Sequence, residues 1–233
     1  VLNRFPTPCK CRIGFASQFA VAAHPLDATS DIGSCQNMTT HNAALVLFSG
    51  GQDSATCLAH ALNMYDRVET IGFDYNQNHR IELTCRETVL QNMRTLNPEW
   101  EKRLGDDHLL YVPALADIGG TALIGDGDIK MQANNLPTTF VPGRNLLFLT
   151  YAAALAYRRG IGELIGGMCE TDYSGYPDCR RATLDALETA LAQGMDAPIT
   201  IATPLMHVDK AATWGMAEKL GGQSLIKLII EHT

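Results

Sequence analysis

The sequence predicts an α/β fold, a mostly parallel sheet with helices on both of its faces. Three observations predict it. Short apolar runs of strand type alternate along most of the chain with segments whose apolar residues recur at helical spacing, the pattern of successive βαβ units. The 233 residues are 46% hydrophobic and 18% charged, which suits one domain with a sizeable core. The longest apolar run, residues 146–156, is too short to span a bilayer and is bracketed by Arg144 and Arg158, so it reads as a buried helix.

Residues 44–48 read as the first strand, an unbroken apolar run, and 54–64 as a helix with apolar positions on one face. Residues 68–75 form a second strand. A helix over about 80–96 is stopped by Asn97-Pro98, since proline cannot continue it. Residues 109–112 are a third strand. The glycine-rich stretch 119–142 is a long loop suited to a lid or a substrate loop. Residues 145–158 are helical, 163–168 a strand, 181–192 an amphipathic helix, 199–202 a strand and 210–220 a last helix. Open parallel sheets bind ligands at the carboxyl ends of their strands, which puts the loop at 49–53 where a ligand is expected.

Charge and cysteine usage narrow the partners. A net charge of -7 argues against a broad phosphate-backbone footprint, so no nucleic-acid partner is expected, and no membrane either. Seven cysteines, an odd number at irregular spacing, do not form a disulfide framework, and a reduced, cytoplasmic setting follows. Residues 1–42 are read as an extension, disordered or arising from the choice of start site, ahead of a domain over 43–233. They show no clean periodicity, and Met38-Thr39-Thr40-His41 resembles a natural start. A faint cleavage signal at Ala20-Val21-Ala22 is outweighed by the weakness of the apolar stretch before it. Cys9, Cys11 and Cys35 lack a fourth ligand nearby and read as tail thiols.

The chemistry concentrates in Ser49-Gly50-Gly51-Gln52-Asp53-Ser54. Two glycines allow a tight turn with N–H groups close to a ligand, Ser49 and Ser54 add hydroxyls, and the helix start adds partial positive charge. Together they make an anion cradle. The plainer alternative is a strand–turn–helix with Asp53 or Ser54 as N-cap. The loop is neither a Walker loop, having no GK[ST], nor a GxGxxG fingerprint.

The whole string SGGxDS after an apolar strand resembles the PP-loop of the N-type ATP pyrophosphatases, with a Rossmann-like, adenine nucleotide alpha hydrolase-like fold. The resemblance implies adenylation, with ATP held by Phe48, Ser49, Gly50, Gly51, Gln52, Asp53, Ser54, Ala55, Thr56, Cys57 and Leu58. Asp74 and Tyr75, at the end of the second strand, would meet the ribose or adenine. A carboxylate beside a triphosphate needs a cation, and a Mg²⁺ on Asp53 is the economical reading. "NLPTTFVPGRNLLFLTYAAA", "GGMCETDYSGYPDCR", "TPLMHVDKAATWGMAEKLGG" and "FDYNQNHRIE" further resemble the 7-cyano-7-deazaguanine (preQ0) synthases of the queuosine pathway. That family implies a ligase that uses ATP and ammonia to turn 7-carboxy-7-deazaguanine into a nitrile through adenylated intermediates, and a homodimer is expected. Candidate catalytic residues are Asp53, Ser54, Arg144 and Lys210. Candidate substrate contacts are Arg144, Asn145, Glu170, Asp172, Tyr176, Asp178 and Arg180, with Tyr173 an alternative to Tyr176 for stacking.

Bland roles stand beside these: Arg144 solvated in a turn, Asp209 an N-cap with Lys210 on the surface, Asp178 a cap of the following helix. Cys169 and Cys179 read as neutral thiols, Cys57 as core, and His79 as structural or near the nucleotide. Two departures from the family stand out. Asn76 occupies a usual glycine position. The family also continues past the position of Thr233 into a tail whose four cysteines bind structural zinc, so the expectation here is a fragment or a truncated form without those ligands. The alternatives are another PP-loop adenylating enzyme acting on tRNA, or a nucleotide-binding module impaired by loss of the zinc tail.

Overall fold

The computed structural model describes residues 42–75, 81–118, 140–170 and 176–233. The expected extension up to residue 41, the loop over 119–139, and Asn76, His79, Asp172 and Tyr173 lie outside them. The elements run β1 (Ala43–Leu47), α1 (Gln52–Met64), β2 (Arg67–Asp74), α2 (Ile81–Leu96), α3 (Pro98–Arg103), β3 (Leu104–Tyr111), α4 (Ala114–Ile118), α5 (Arg144–Arg159), β4 (Glu163–Ile165), a 3₁₀ turn (Pro177–Cys179), α6 (Arg181–Met195), β5 (Thr200–Ala202) and α7 (Lys210–His232). The five strands form one sheet in the order β3-β2-β1-β4-β5, and every neighbouring pair is parallel.

The period of two in β1 splits the core between the two faces. Ala44, Val46 and Phe48 pack against Leu58 and Leu62 of α1, Met93 of α2 and Leu225 and Ile229 of α7. Ala43 and Leu45 face the opposite way, toward Leu149, Ala152 and Ala156 of α5 and Leu184 and Leu191 of α6. Burial on both faces is why β1 is continuously apolar. Strand order reverses at β1, with β2 on one side and β4 on the other, so the cleft at the carboxyl end of β1 is the switch point where such sheets bind ligands.

Three expectations need correction. The third strand begins at Leu104 rather than 109, because its polar first half is held by the ion pairs of Asp106 with Arg159 and Asp107 with Arg86 and by the contact of His108 with Glu69. Asn97-Pro98 does stop α2, at Leu96, and Pro98 then sits in the first turn of a further helix, α3, which Asn97 caps by accepting from the Glu99 N–H at 2.9 Å. β4 stops at Ile165, three residues early, as the chain turns toward α1. The last helix runs on to His232, bent at Gly222, whose φ of 65° and ψ of -163° interrupt it. Thr233, the position past which the family's zinc ligands are expected, is thus the C-cap of a helix. Its N–H and its hydroxyl both donate to the Ile229 carbonyl, at 3.1 and 2.7 Å.

Glu69 of β2, 1% exposed, is the buried charge of the sheet. Arg67 and Arg159 donate to it, and His108 Nε2 lies 2.9 Å away. Burial by itself would raise its carboxyl, but the hydrogen bonds from Arg159 and His108 and the charges of Arg159 and Arg67 hold it below the ordinary value of 4.5. Its stabilisation is therefore full above pH 4.5 and fades as pH falls below that. Glu69→Gln is expected to cost about 1–3 kcal/mol at pH 7. In urea unfolding the gap to wild type should narrow at pH 4; a gap that widens there would contradict the assignment.

Candidate active site

The loop between β1 and α1 is shaped by two glycines and one arginine. Gly50 adopts φ 94°, and a Cβ there would lie 2.9 Å from the Arg86 backbone, so only glycine fits. Arg86 of α2, 4% exposed, lies beneath the loop and donates from Nε to the Phe48 carbonyl at 2.8 Å. Its other nitrogens donate to both carboxylate oxygens of Asp107 and to the His108 carbonyl. Gly72 leaves room for that guanidinium, since a Cβ there would sit 2.5 Å from Nε. Arg86 thus ties the end of β1 to β3, and it was missed in the sequence because nothing in a helical pattern marks an arginine as buried.

The start of α1 is open to an anion. Gly51 is its N-cap and no side chain caps the helix, which corrects the expectation that Asp53 or Ser54 would. Ser54 turns back instead, donating to the Gly51 carbonyl at 2.9 Å and accepting from the Gly50 N–H at 3.2 Å, with Ser49 Oγ 3.2 Å away. Gln52 Nε2 and Asp53 Oδ1 are buried without a hydrogen-bond partner. The other Asp53 oxygen accepts from Lys210 Nζ at 2.5 Å. Gly167 backs Asp53, where a Cβ would lie 3.4 Å from that of Asp53. A lone amide donor suits a phosphate oxygen, and a lone carboxylate oxygen suits a divalent cation.

Lys210 opens α7, and Asp209 caps that helix by accepting from the Ala212 N–H at 2.7 Å. The capping role thus falls to Asp209, and Lys210, 58% exposed, pairs with Asp53. Ala55, Thr56, Cys57 and Leu58 are fully buried and fasten the loop to the core. Burial, and then the charge of Asp53, push the Cys57 thiol up to about 12. Cys57 should therefore resist a water-soluble maleimide at pH 8 until the protein unfolds, and peptide mapping that finds it labelled in the native state would overturn this. Asp74 ends β2 on the same carboxyl edge, and the Tyr75 ring lies 5.5 Å from Phe148, itself stacked on Phe73 at 4.1 Å.

A second wall forms where α5 begins, since α5 leads back into parallel strand β4 and its N-terminus lies at the carboxyl edge. Gly143, at φ 73°, is its N-cap, and Arg144 is its half-buried first residue. The backbone N–H of Asn145 donates to Asp178 Oδ2 at 3.0 Å, and its side-chain amide reaches Cys179 Sγ at 3.2 Å. Asp178 therefore caps α5 and not the helix that follows it. That following helix, α6, is capped by Glu170, whose Oε1 accepts from the Arg181 N–H at 2.6 Å. Arg180 is exposed just before α6. The Tyr176 ring lies 5.4 Å from Phe140. Among the described residues the only grouped metal-type ligands are Glu69, Asp106 and His108, and arginines already fill both Glu69 oxygens. The described cysteines 57, 85, 169 and 179 form no such group and do not fit a four-thiolate zinc site.

This parallel sheet, with an open SGGxDS loop at its switch point, defines a PP-loop nucleotide-binding domain. A solved 4-thiouridine synthetase–RNA complex with bound ATP shares the fold at a TM-score of 0.54 and 18% identity, over 80% of this chain and 42% of that one. Residues 43–233 match the family model described as queuosine biosynthesis protein QueC, and the chain belongs to that family. It is 63% identical over 193 residues to a 7-cyano-7-deazaguanine synthase of Rhodopseudomonas palustris (strain BisB18), covering 83% of this chain and 80% of that protein. It is 58% identical over 199 residues to a protein of the same name from Bordetella pertussis (strain Tohama I), covering 85% and 82%.

Proposed function

We propose that the domain over residues 43–233 is an ATP-dependent ligase that converts 7-carboxy-7-deazaguanine and ammonia to 7-cyano-7-deazaguanine in queuosine biosynthesis. The observation that carries it is the uncapped start of α1, with one oxygen of Asp53 paired to Lys210 and the other buried without a hydrogen-bond partner. Polyphosphate oxygens accept from the loop N–H groups and from Gln52 Nε2. A Mg²⁺ on Asp53, when bound, neutralises the leaving pyrophosphate. Lys210, released from Asp53, is then free to meet charge building on the α-phosphate.

A substrate carboxylate oxygen attacks the α-phosphorus, and the bond to pyrophosphate breaks. The ammonia lone pair adds to the acyl carbon, AMP leaves and an amide remains. The amide oxygen attacks a second ATP in the same way. Loss of the amide protons and of AMP then forms the carbon–nitrogen triple bond. Arg144, at the start of α5, would face the carboxylate or a phosphate with its planar guanidinium. Asn145, Glu170, Tyr176, Asp178 and Arg180 lie on the elements of the same wall. Free ammonia as nitrogen donor, a homodimer and a cytoplasmic location complete the reading. No described helix is long and apolar enough to cross a membrane.

The test is pyrophosphate release with Mg-ATP, ammonium and 7-carboxy-7-deazaguanine, with product mass followed. Nitrile formation is expected. ATP binding without pyrophosphate release would leave a nucleotide-binding module, and release only with added tRNA would make the chain a tRNA-adenylating enzyme.

A further inference from the structure

We propose that Asp178 is the residue that reads the exocyclic amino group of the deazaguanine, an assignment that rests on the ligase reading above. Asp178 is 4% exposed, yet the two oxygens of its carboxylate are used unequally. Oδ2 accepts from the Asn145 N–H at 3.0 Å, whereas Oδ1 is buried and has no hydrogen-bond partner. Burying an unsatisfied acceptor is costly, and native structures rarely keep one without a use for it. Capping does not account for the second oxygen, because asparagine caps as well as aspartate and needs one oxygen to do so.

The group that satisfies Oδ1 must be a donor, and a buried carboxylate is offset best by an N–H. Asn145 does not supply one, since its side-chain amide is turned to Cys179 Sγ at 3.2 Å. Aromatic side chains stand close by in the chain. Tyr176, two residues earlier, stands against Phe140 with ring centroids 5.4 Å apart and planes tilted by 34°. The α5 N-terminus, where Asp178 is fastened, lies on the carboxyl edge of the sheet with Asp53 and Lys210. The α5 terminus thus fixes one carboxylate oxygen and leaves the other without a partner, and the aminopyrimidinone edge of the deazaguanine offers the matching donor. This makes Asp178 a specificity residue acting on the end of the substrate remote from the reacting carboxylate.

The experiment compares kcat/KM for 7-carboxy-7-deazaguanine and for its analogue lacking the exocyclic amino group, in wild type and in Asp178→Asn. Asparagine keeps the cap but turns a donor toward a donor. Wild type is expected to favour the amino substrate by about 10–100-fold, the worth of one hydrogen bond to a charged group. In Asp178→Asn that preference should fall to about threefold or less, with the KM for ATP and the Tm unchanged. Asp178→Ser, whose shorter side chain has no second oxygen, should lose the preference likewise, and it serves if the asparagine variant folds poorly. Activity that falls equally on both substrates, with the preference intact, would overturn the assignment and leave Asp178 a cap. A wild-type chain that forms no nitrile overturns the ligase reading and this assignment together, and the two failures are told apart by whether a preference can be measured at all.

Discussion

Asp53→Ala is expected to lower pyrophosphate release by about 10²–10³-fold, the loss typical when one preorganised electrostatic contact to a transition state is removed. The substitution does two things. It removes the carboxylate oxygen proposed to hold a cation, and it strips Lys210 of the partner 2.5 Å away. Stability should hardly change. The Asp53–Lys210 pair is 31% and 58% exposed, and an ion pair so open to water contributes at most about 1 kcal/mol. A large drop in rate with a nearly constant Tm therefore separates a chemical role from a structural one. Asp53→Asn sharpens the comparison, because it preserves size and removes only the charge. Release within about threefold of wild type in both variants would mean that the loop does not use this carboxylate.

Arg86→Met has the opposite profile, a large loss of stability that carries the loop with it. Breaking a buried charged pair costs about 3–5 kcal/mol, but Asp107 is 36% exposed and can rehydrate, so about 2–4 kcal/mol is expected. For a domain of this size that lowers Tm by about 4–16 °C. The Phe48 carbonyl also loses its donor, so the KM for ATP should rise in whatever fraction remains folded. Gly72→Ala provides an independent approach to the same site, because its Cβ would collide with Arg86 Nε rather than delete it. Thermal unfolding and ATP titration of both variants decide the matter. A Tm within about 2 °C of wild type for Arg86→Met would show that the arginine is not holding the loop.

Much of this was legible in the chain itself. Residues 44–48 announced a strand buried on both sides, and the polar string after them announced a ligand loop, because period and composition are local properties. The motif around Asp178 resembled that of a family, but its contacts could not be read from the chain. Whether Asp178 caps the helix after it or the one before depends on how two helix termini meet across 33 residues of chain. The early start of β3 was hidden for a similar reason. Gly105, Asp106, Asp107 and His108 look like a loop until Arg159, Arg86 and Glu69 arrive from three other elements to pair with them.

The sequence by itself determined the alternation of strands and helices, the phosphate-type loop and the family, since each is written in contiguous residues whose chemistry does not depend on distant partners. Only the tertiary structure decided that Arg86 lies buried beneath the loop, that Lys210 meets Asp53 across 157 positions, and that Asp178 keeps one oxygen unused. The reason is that burial and pairing of charge are set by which elements the sheet brings together. No local pattern records a desolvated carboxylate or guanidinium, because its cost and its compensation come from opposite ends of the chain.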